Sequence, residues 1–475
     1  MNGAIGHAAK STHRMLPRPL RPTKPPNPHF MGRRAPPVQF GRLIRHSARH
    51  DGPRRTIVRM RIPSSWLPDG VEASASWLLA SRMLRGFADG YVAVLLPAYL
   101  GALGFGVVQI GLLGTLTLAG SAVATIAVGA LGHRFAASRL MLAAALTMVA
   151  TGLGFAGLHA FWPLALVAFV GTLNPSSGDV SVFLPLEHAR LARAAEDSGA
   201  RTALFSRYAL CGGLSAAVGA LASAWPAWWS AHTGGSALDA MRAMFVLYAA
   251  IGAVVALLYR GFIRQEQRAH AAHATGRGVN PDAPQPLGPS RGIVLRLAAL
   301  FCIDSFAGGL LVNAMLALWL FQRFGLSLSA AGQFFFWSGL MMTASQLLAP
   351  VLARRIGLVN TMVFTHIPAS LFLISAAMAS SLPVALALLL LRSVLSSMDV
   401  PARNAFVMAV VTPPERAAAA SFTAVPRSLA AALGPTIGGG LLASGVLAAP
   451  LLACGALKIA YDLLLLAMFR RHPVD

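Results

Sequence analysis

The sequence predicts an all-α polytopic membrane protein, with twelve transmembrane helices in two pseudo-symmetric six-helix bundles. Three observations predict it. Of 475 residues, 56% are hydrophobic and 12% charged, with a mean hydropathy of +0.63, so lipid rather than water is the main solvent. Twelve stretches approach the about 20 apolar residues that a helix needs to cross the hydrocarbon core. The segment Pro163 to Val180 also returns 220 positions later as Pro383 to Val400 with seven of eighteen identities, and Arg201 to Gly219 aligns with Arg416 to Gly434 at eight of nineteen places. The chain is therefore a duplicated unit.

In order, the spans run 84–103, 106–131, 140–158, 162–182, 203–224 and 242–259, then 293–320, 330–352, 360–380, 383–401, 421–446 and 450–468. Residues 1–75 precede them as a disordered basic tail. Residues 1–70 carry fourteen Lys or Arg against two acids, which is +12 of the net +23, and are rich in proline without hydrophobic periodicity. Two origins are open for this tail: a segment lying on anionic lipid headgroups, or an extension from an upstream start, with Met60 or Met83 as the true start. Its prolines argue against a transit peptide, and no cleavable signal peptide is visible. Residues 76–260 form the first bundle, 261–291 a polar linker rich in Pro and Gly, and 292–475 the second bundle. Between spans four and five, Leu186 to Arg201 reads as a short amphipathic helix on the membrane face. Arginines collect in alternate loops, including Arg134, Arg139, Arg190, Arg193, Arg260, Arg264, Arg354, Arg355 and Arg416, which puts both termini and the linker in the cytoplasm.

Cys211, Cys302 and Cys454 all fall within spans, so neither a disulfide framework nor a metal site follows. Arginine outnumbers lysine 36 to 3 in an alanine-rich chain, a composition that suggests GC-rich coding and the inner (cytoplasmic) membrane of a bacterium.

The six-plus-six organisation, the cytoplasmic central linker and a basic loop after the second span of each half resemble the major facilitator superfamily over about residues 76–470. Its loop signature is roughly G-x-L-A-D-R-x-G-R-K. Here the first copy keeps Gly129, Leu131 and Arg134, with His133 at the acidic position and Ala136 at the second glycine. The second copy keeps Arg355 and Gly357, with Arg354 at the acidic place. A further signature, GPxxGG, belongs to the fifth span of drug:proton antiporters and stands here on the eleventh, as Gly434-Pro-Thr-Ile-Gly-Gly. The closest type is thus the drug:proton antiporter-like branch. In any membrane bundle, small residues of this kind also serve close helix packing.

Charges within a bilayer are expensive, at least about 2.5 kcal/mol on insertion scales, so they pair or face water. Asp89, Asp179, Asp304 and Asp399 occupy spans one, four, seven and ten, which the resemblance implies line the central cavity. An unbroken helix carries Asp179 and Asp399, each sixteen residues past its proline, to the cytoplasmic interface. There they are expected to form a gate, Arg134 with Asp179 and Arg355 with Asp399. The deeper Asp89 and Asp304 are the proton-coupling candidates. Asp89 has a second reading, a structural pair with Arg85 four residues before it. Arg392 lies near the bilayer midplane and resembles the family's intramembrane arginine, usually on span four, where Thr172 stands here. It is expected either to hold an anionic substrate or to neutralise Asp304. Arg427, Asn313 and Tyr91 are further substrate-cavity candidates, with Tyr99, Phe335, Trp337 and Gln346 behind them. Lys458 and Asp462, one turn apart, read as a self-neutralising structural pair, and His366 as a satisfied packing residue. Asn174-Pro175-Ser-Ser-Gly178 should loosen the fourth span as a hinge.

These features imply secondary active transport of a small organic solute by alternating access, proton-coupled, with export preferred. The alternative is a proton symporter or uniporter that imports an anionic metabolite held by Arg392 and Arg427. An integral-membrane transferase would need a catalytic constellation, and no His/Asp or Cys/His spacing of that kind stands out. The expected partners are the lipid bilayer, a small-molecule substrate and protons. No nucleic acid, cofactor, metal or enzymatic activity is expected, and the unit is expected to be a monomer. The fold does not select the cargo.

Overall fold

The computed structural model describes residues 67–131, 134–176, 181–195, 197–272 and 287–470. The first bundle contains α1 (Ala75–Ala102), α2 (Val107–Leu131), α3 (Ala137–Gly157), α4 (Phe161–Val170), α5 (Phe183–Arg193), α6 (Ser198–Ala222), α7 (Trp225–Thr233) and α8 (Ala237–Ala272). The second contains α9 (Arg291–Leu310), α10 (Asn313–Phe324), α11 (Leu328–Ile356), α12 (Leu358–Met378), α13 (Leu382–Leu395), α14 (Asp399–Ala409), α15 (Arg416–Ala443) and α16 (Ala449–Phe469). Together they make twelve crossings. Among the described residues, nine helical stretches are long and apolar enough to span on composition alone. The other three crossings have physical reasons for falling short. Helix α1 carries Arg82, Arg85 and Asp89, α15 is diluted by Gly, Pro and Ser, and α4 is only ten residues long.

Ten residues rise about 15 Å, half of the hydrocarbon core, so the fourth crossing needs α5 to complete it. The chain is non-helical over Gly171 to Asn174 before Pro175, which lacks a donor and disfavours helix in the residue before it. The tenth crossing breaks at the corresponding place, between α13 and α14. Pro401 stands in the first turn of α14, where an unbroken helix would need its missing N–H to reach the carbonyl of Ser397. The seventh crossing is also interrupted, at Leu311 and Val312, just after Gly308 and Gly309, which favour helix poorly. Helix α8 runs on to Ala272, inside the stretch read as linker.

Two glycines show how closely the repeat is kept. A side chain at Gly90 of α1 would lie 2.0 Å from the carbonyl oxygen of Ala216 on α6, and one at Gly309 of α9 would lie 2.2 Å from that of Ala431 on α15. The helices touch backbone to backbone at these points, as small residues allow. The two contacts superpose the first crossing on the seventh with an offset of 219 and the fifth on the eleventh with an offset of 215.

At the face bearing the linker, both halves strap the segment before their first helix to the segment before their fifth. In the first half, the Glu72 N–H donates to the Ala194 carbonyl at 2.9 Å. In the second, Glu415 accepts from the Ser290 hydroxyl at 2.5 Å, the Thr412 hydroxyl at 2.6 Å and the Gly288 N–H. Ser290, then Thr412, then Gly288 draw the Glu415 carboxyl down from 4.5 to about 2. Toward the opposite face the bundles meet directly. The Thr436 N–H and hydroxyl donate to the Thr115 hydroxyl at 3.0 and 2.7 Å, the Ala314 N–H donates to the Pro175 carbonyl at 3.1 Å, and Gly332 packs on Ala220.

Candidate functional site

Between the bundles lies a cavity of about 240 Å³, walled by α1, α6, α10, α11 and the breaks in the fourth and tenth crossings. Small residues of α6, from Ala209 to Ala220, form one wall. Polar groups project from the others: Arg82, Ser176, Asn313, Ser338, Thr343, Gln346 and Ser397. Of the expected cavity residues, Asn313 lines it, as do Phe335 and Gln346, whereas Trp337 faces outward at 51% exposure. Tyr91 does not line it. Its neighbour Gly90 faces the cavity, and one residue of helical rotation turns Tyr91 into the bundle, where its hydroxyl donates to the Met244 carbonyl of α8 at 3.1 Å. Tyr99 is tied in the same way to the Phe155 carbonyl. Arg392 on α13 and Arg427 on α15 are half-buried and do not line this cavity.

Beneath the cavity, the first half contains a satisfied ionic core. Glu187 on α5 is 0% exposed and accepts from Arg85 and Tyr208, from Tyr259 at 2.6 Å and from Ser81 at 2.7 Å. The Arg85 guanidinium also lies 4.2 Å over the Phe183 ring. So α5 is more than the surface helix that its amphipathic pattern suggested: Arg193 is exposed, but Glu187 is turned inward onto Arg85. The close ion pair of Arg85 is with Glu187, while Asp89, four residues on, attracts it from further away.

The second half holds a larger cluster, spread over α9, α12, α14 and α16. Asp304 receives Lys458 at 2.6 Å and Arg403 at 3.2 Å. Arg403 also meets Asp399 at 3.1 Å. His366 stands between Lys458, at 3.2 Å from its Nε2, and Asp462, at 3.1 Å from its Nδ1. All of these side chains are buried or nearly so.

Three expectations change here. Lys458 and Asp462 do not neutralise each other, because Lys458 reaches across to Asp304 while Asp462 turns to His366. Asp399 meets Arg403 rather than Arg355, since the break before α14 makes Asp399 the first residue of a separate, buried helix instead of the end of a continuous one. Arg355 is exposed. Asp304 is neutralised by Lys458 and Arg403, not by Arg392. The expected pairing of Arg134 with Asp179 lies outside the described residues, because Asp179 does; Arg134 itself is exposed.

The offset of 219 brings Arg85 onto Asp304, and the fifth residues of α5 and α14 are Glu187 and Arg403. Each half therefore has an ion pair from its first crossing to its fourth, with the charges exchanged between the halves. At this offset the counterpart of Asp304 is Arg85, not Asp89.

Residues 78–398, and again 297–475, match the family model of the Major Facilitator Superfamily. The chain belongs to this superfamily. It is 25% identical over 422 residues to the uncharacterised membrane protein YJR124C of Saccharomyces cerevisiae, covering 82% of this chain and 93% of that one. Among solved structures, the nucleoside transporter NupG superposes with a TM-score of 0.61 at 16% identity, covering 84% of this chain and 99% of that one. The D-xylose-proton symporter gives 0.62 at 14%, covering 84% and 98%, and the human organic anion transporter MFSD10 (TETRAN) gives 0.55 at 17%, covering 82% and 98%. At these identities the likeness establishes the fold. In this major facilitator chain, the GPxxGG residues serve packing: Gly434 and Gly438 seat α15 on the end of α9, and Gly439 meets Gly111 of α2.

Three site residues escaped the sequence reading, Arg82, Glu187 and Arg403, and a fourth, His366, was read only as a packing residue. Arg82 and Arg403 lie three residues before and four after charges that were noticed, so one helical turn was the available signal. Glu187 and His366 gave none, since only packing between distant segments decides their surroundings.

Proposed function

We propose that this chain is a secondary transporter that carries a small organic solute through the central cavity by alternating access, coupled to protons through the cluster around Asp304. The observation that supports the coupling is a charge count. Asp304, Asp399 and Asp462 contribute three negative charges, and Arg403 and Lys458 two positive ones, leaving one buried negative charge that a single proton on the His366–Asp462 pair balances. An uncompensated charge in a membrane interior is costly, so hydration of the cluster as the bundles tilt changes its demand for that proton. One proton per cycle is the stoichiometry this count supports. The arginine-rich loops support an orientation with the linker and both termini in the cytoplasm.

Export by antiport is the preferred direction. The test is a reconstitution in liposomes containing a pH-sensitive dye. Adding solute on the side from which it leaves should drive a proton the opposite way. His366→Ala and Asp462→Asn should abolish that proton signal while solute counterflow persists. Proton movement in the same direction as the solute would make the protein a symporter, and wild-type proton flux in both variants would remove the cluster from coupling.

A further inference from the structure

Resting on the transport reading, we infer that the cavity takes a small oxyanion, a carboxylate- or phosphate-bearing solute, and that Arg82 is the residue that binds it. Arg82 is the charged residue among those lining the cavity. It is 9% exposed, and among the described residues no carboxylate stands within 4 Å of its guanidinium. Its Nε has no hydrogen-bond partner. Asp89, two turns further along α1, attracts it only from beyond the 4 Å of an ion pair.

Three other buried cations of the core each meet a carboxylate. Arg85, one turn further on, has Glu187; Arg403 has Asp304 and Asp399; Lys458 has Asp304. The repeat offers Arg82 no compensation either, since the offset of 219 puts Phe301 at its place in the second half. A guanidinium stays charged at every accessible pH, so a buried one with no carboxylate in direct contact leaves room for an anion to arrive.

The guanidinium is also held in position. It lies 5.2 Å from the centroid of the Tyr208 ring. It occupies the space over Gly212, where a Cβ would come within 2.2 Å of its Nε. Its planar fork matches a carboxylate or phosphate with two parallel hydrogen bonds. Asn313, Thr343 and Gln346 supply neutral polar contacts for the rest of the solute. A volume of about 240 Å³ lies below the about 300 Å³ at which drug-sized pockets begin, which fits a small metabolite.

The purified full-length protein in detergent would be screened by thermal shift against monocarboxylates, dicarboxylates and organic phosphates. Each would be paired with its neutral amide or dephosphorylated counterpart at equal ionic strength. At least one anion should stabilise the wild type saturably where its neutral counterpart does not. Arg82→Gln should weaken that binding on the order of thirtyfold, and Arg82→Lys should retain part of it. Gly212→Ala, which displaces the guanidinium but keeps its charge, should weaken it as well and guards against a folding defect in Arg82→Gln. Stabilisation by neutral partners only, equal anion binding in Arg82→Gln, or no stabilisation by any anion would overturn the inference. Counterflow of a neutral solute unaffected by Arg82→Gln would refute the anion site and leave transport standing. Anion binding without flux in liposomes would do the reverse.

Discussion

Replacing Glu187 by Gln removes the counter-ion of a guanidinium that is 2% exposed, and it also disturbs the hydrogen bonds around it. One carboxylate oxygen accepts from Ser81 and Tyr259, the other from Arg85 and Tyr208. With its oxygen toward Arg85 and Tyr208, the amide turns its NH2 to the Ser81 and Tyr259 hydroxyls, which can accept as well as donate, so the loss is chiefly that of the charge. Breaking one partner of a buried pair costs about 3–5 kcal/mol. With an unfolding entropy of about 2 cal/mol/K per residue over roughly 400 ordered residues, this corresponds to a fall in melting temperature of about 4–6 °C. The measurement is a thermal melt of purified Glu187→Gln, Arg85→Gln and the double variant in one detergent. The double variant should recover part of the loss, because the buried charge is gone. A Glu187→Gln protein as stable as wild type, or a double variant as unstable as the sum of the singles, would refute the assignment of this pair.

Exchanging Lys458 and Asp462 would be harmless if they neutralised each other. Because Lys458 faces Asp304 and Asp462 faces His366, the exchange puts two acids together, and expression with folding, followed by size-exclusion chromatography, should fall well below wild type. Gly309→Ala forces α9 from α15, since its Cβ would lie 2.2 Å from the Ala431 carbonyl, and should cost about 1–3 kcal/mol in a thermal melt. Gly157→Ala, whose Cβ would meet nothing within 4 Å, is the control. The Glu415 carboxyl is drawn from 4.5 in its ordinary state to about 2, so its contribution is complete above about pH 4.5 and lost as pH falls toward 2. Glu415→Gln should therefore melt below wild type at pH 7, with the gap closing across that acid range.

The number of crossings, the duplication and the division into halves were legible in the sequence, because they rest on local properties. Apolar length sets each crossing, and repeated residues such as Pro163 and Pro383 mark the duplication wherever the chain folds. The interruptions were only half legible. Pro175 announced one, but the break before α14 was missed, and with it the depth of Asp399, because the reckoning of 1.5 Å per residue holds only along an unbroken helix.

Which charges meet was settled by the tertiary structure alone. Helical spacing offered Arg85 with Asp89 and Lys458 with Asp462, and in both cases a residue about a hundred or more positions away took the partner instead. Within a membrane bundle, a buried charge takes the strongest counter-charge that packing brings within reach, and a neighbour one turn along the same helix has no advantage in that competition. The sequence determined that charges are buried and on which crossings they lie. Only the packing of α5, α14 and α16 against the first helix of each half decided that Arg85 is matched, that Asp304 is matched twice, and that Arg82 faces the cavity with no carboxylate in direct contact.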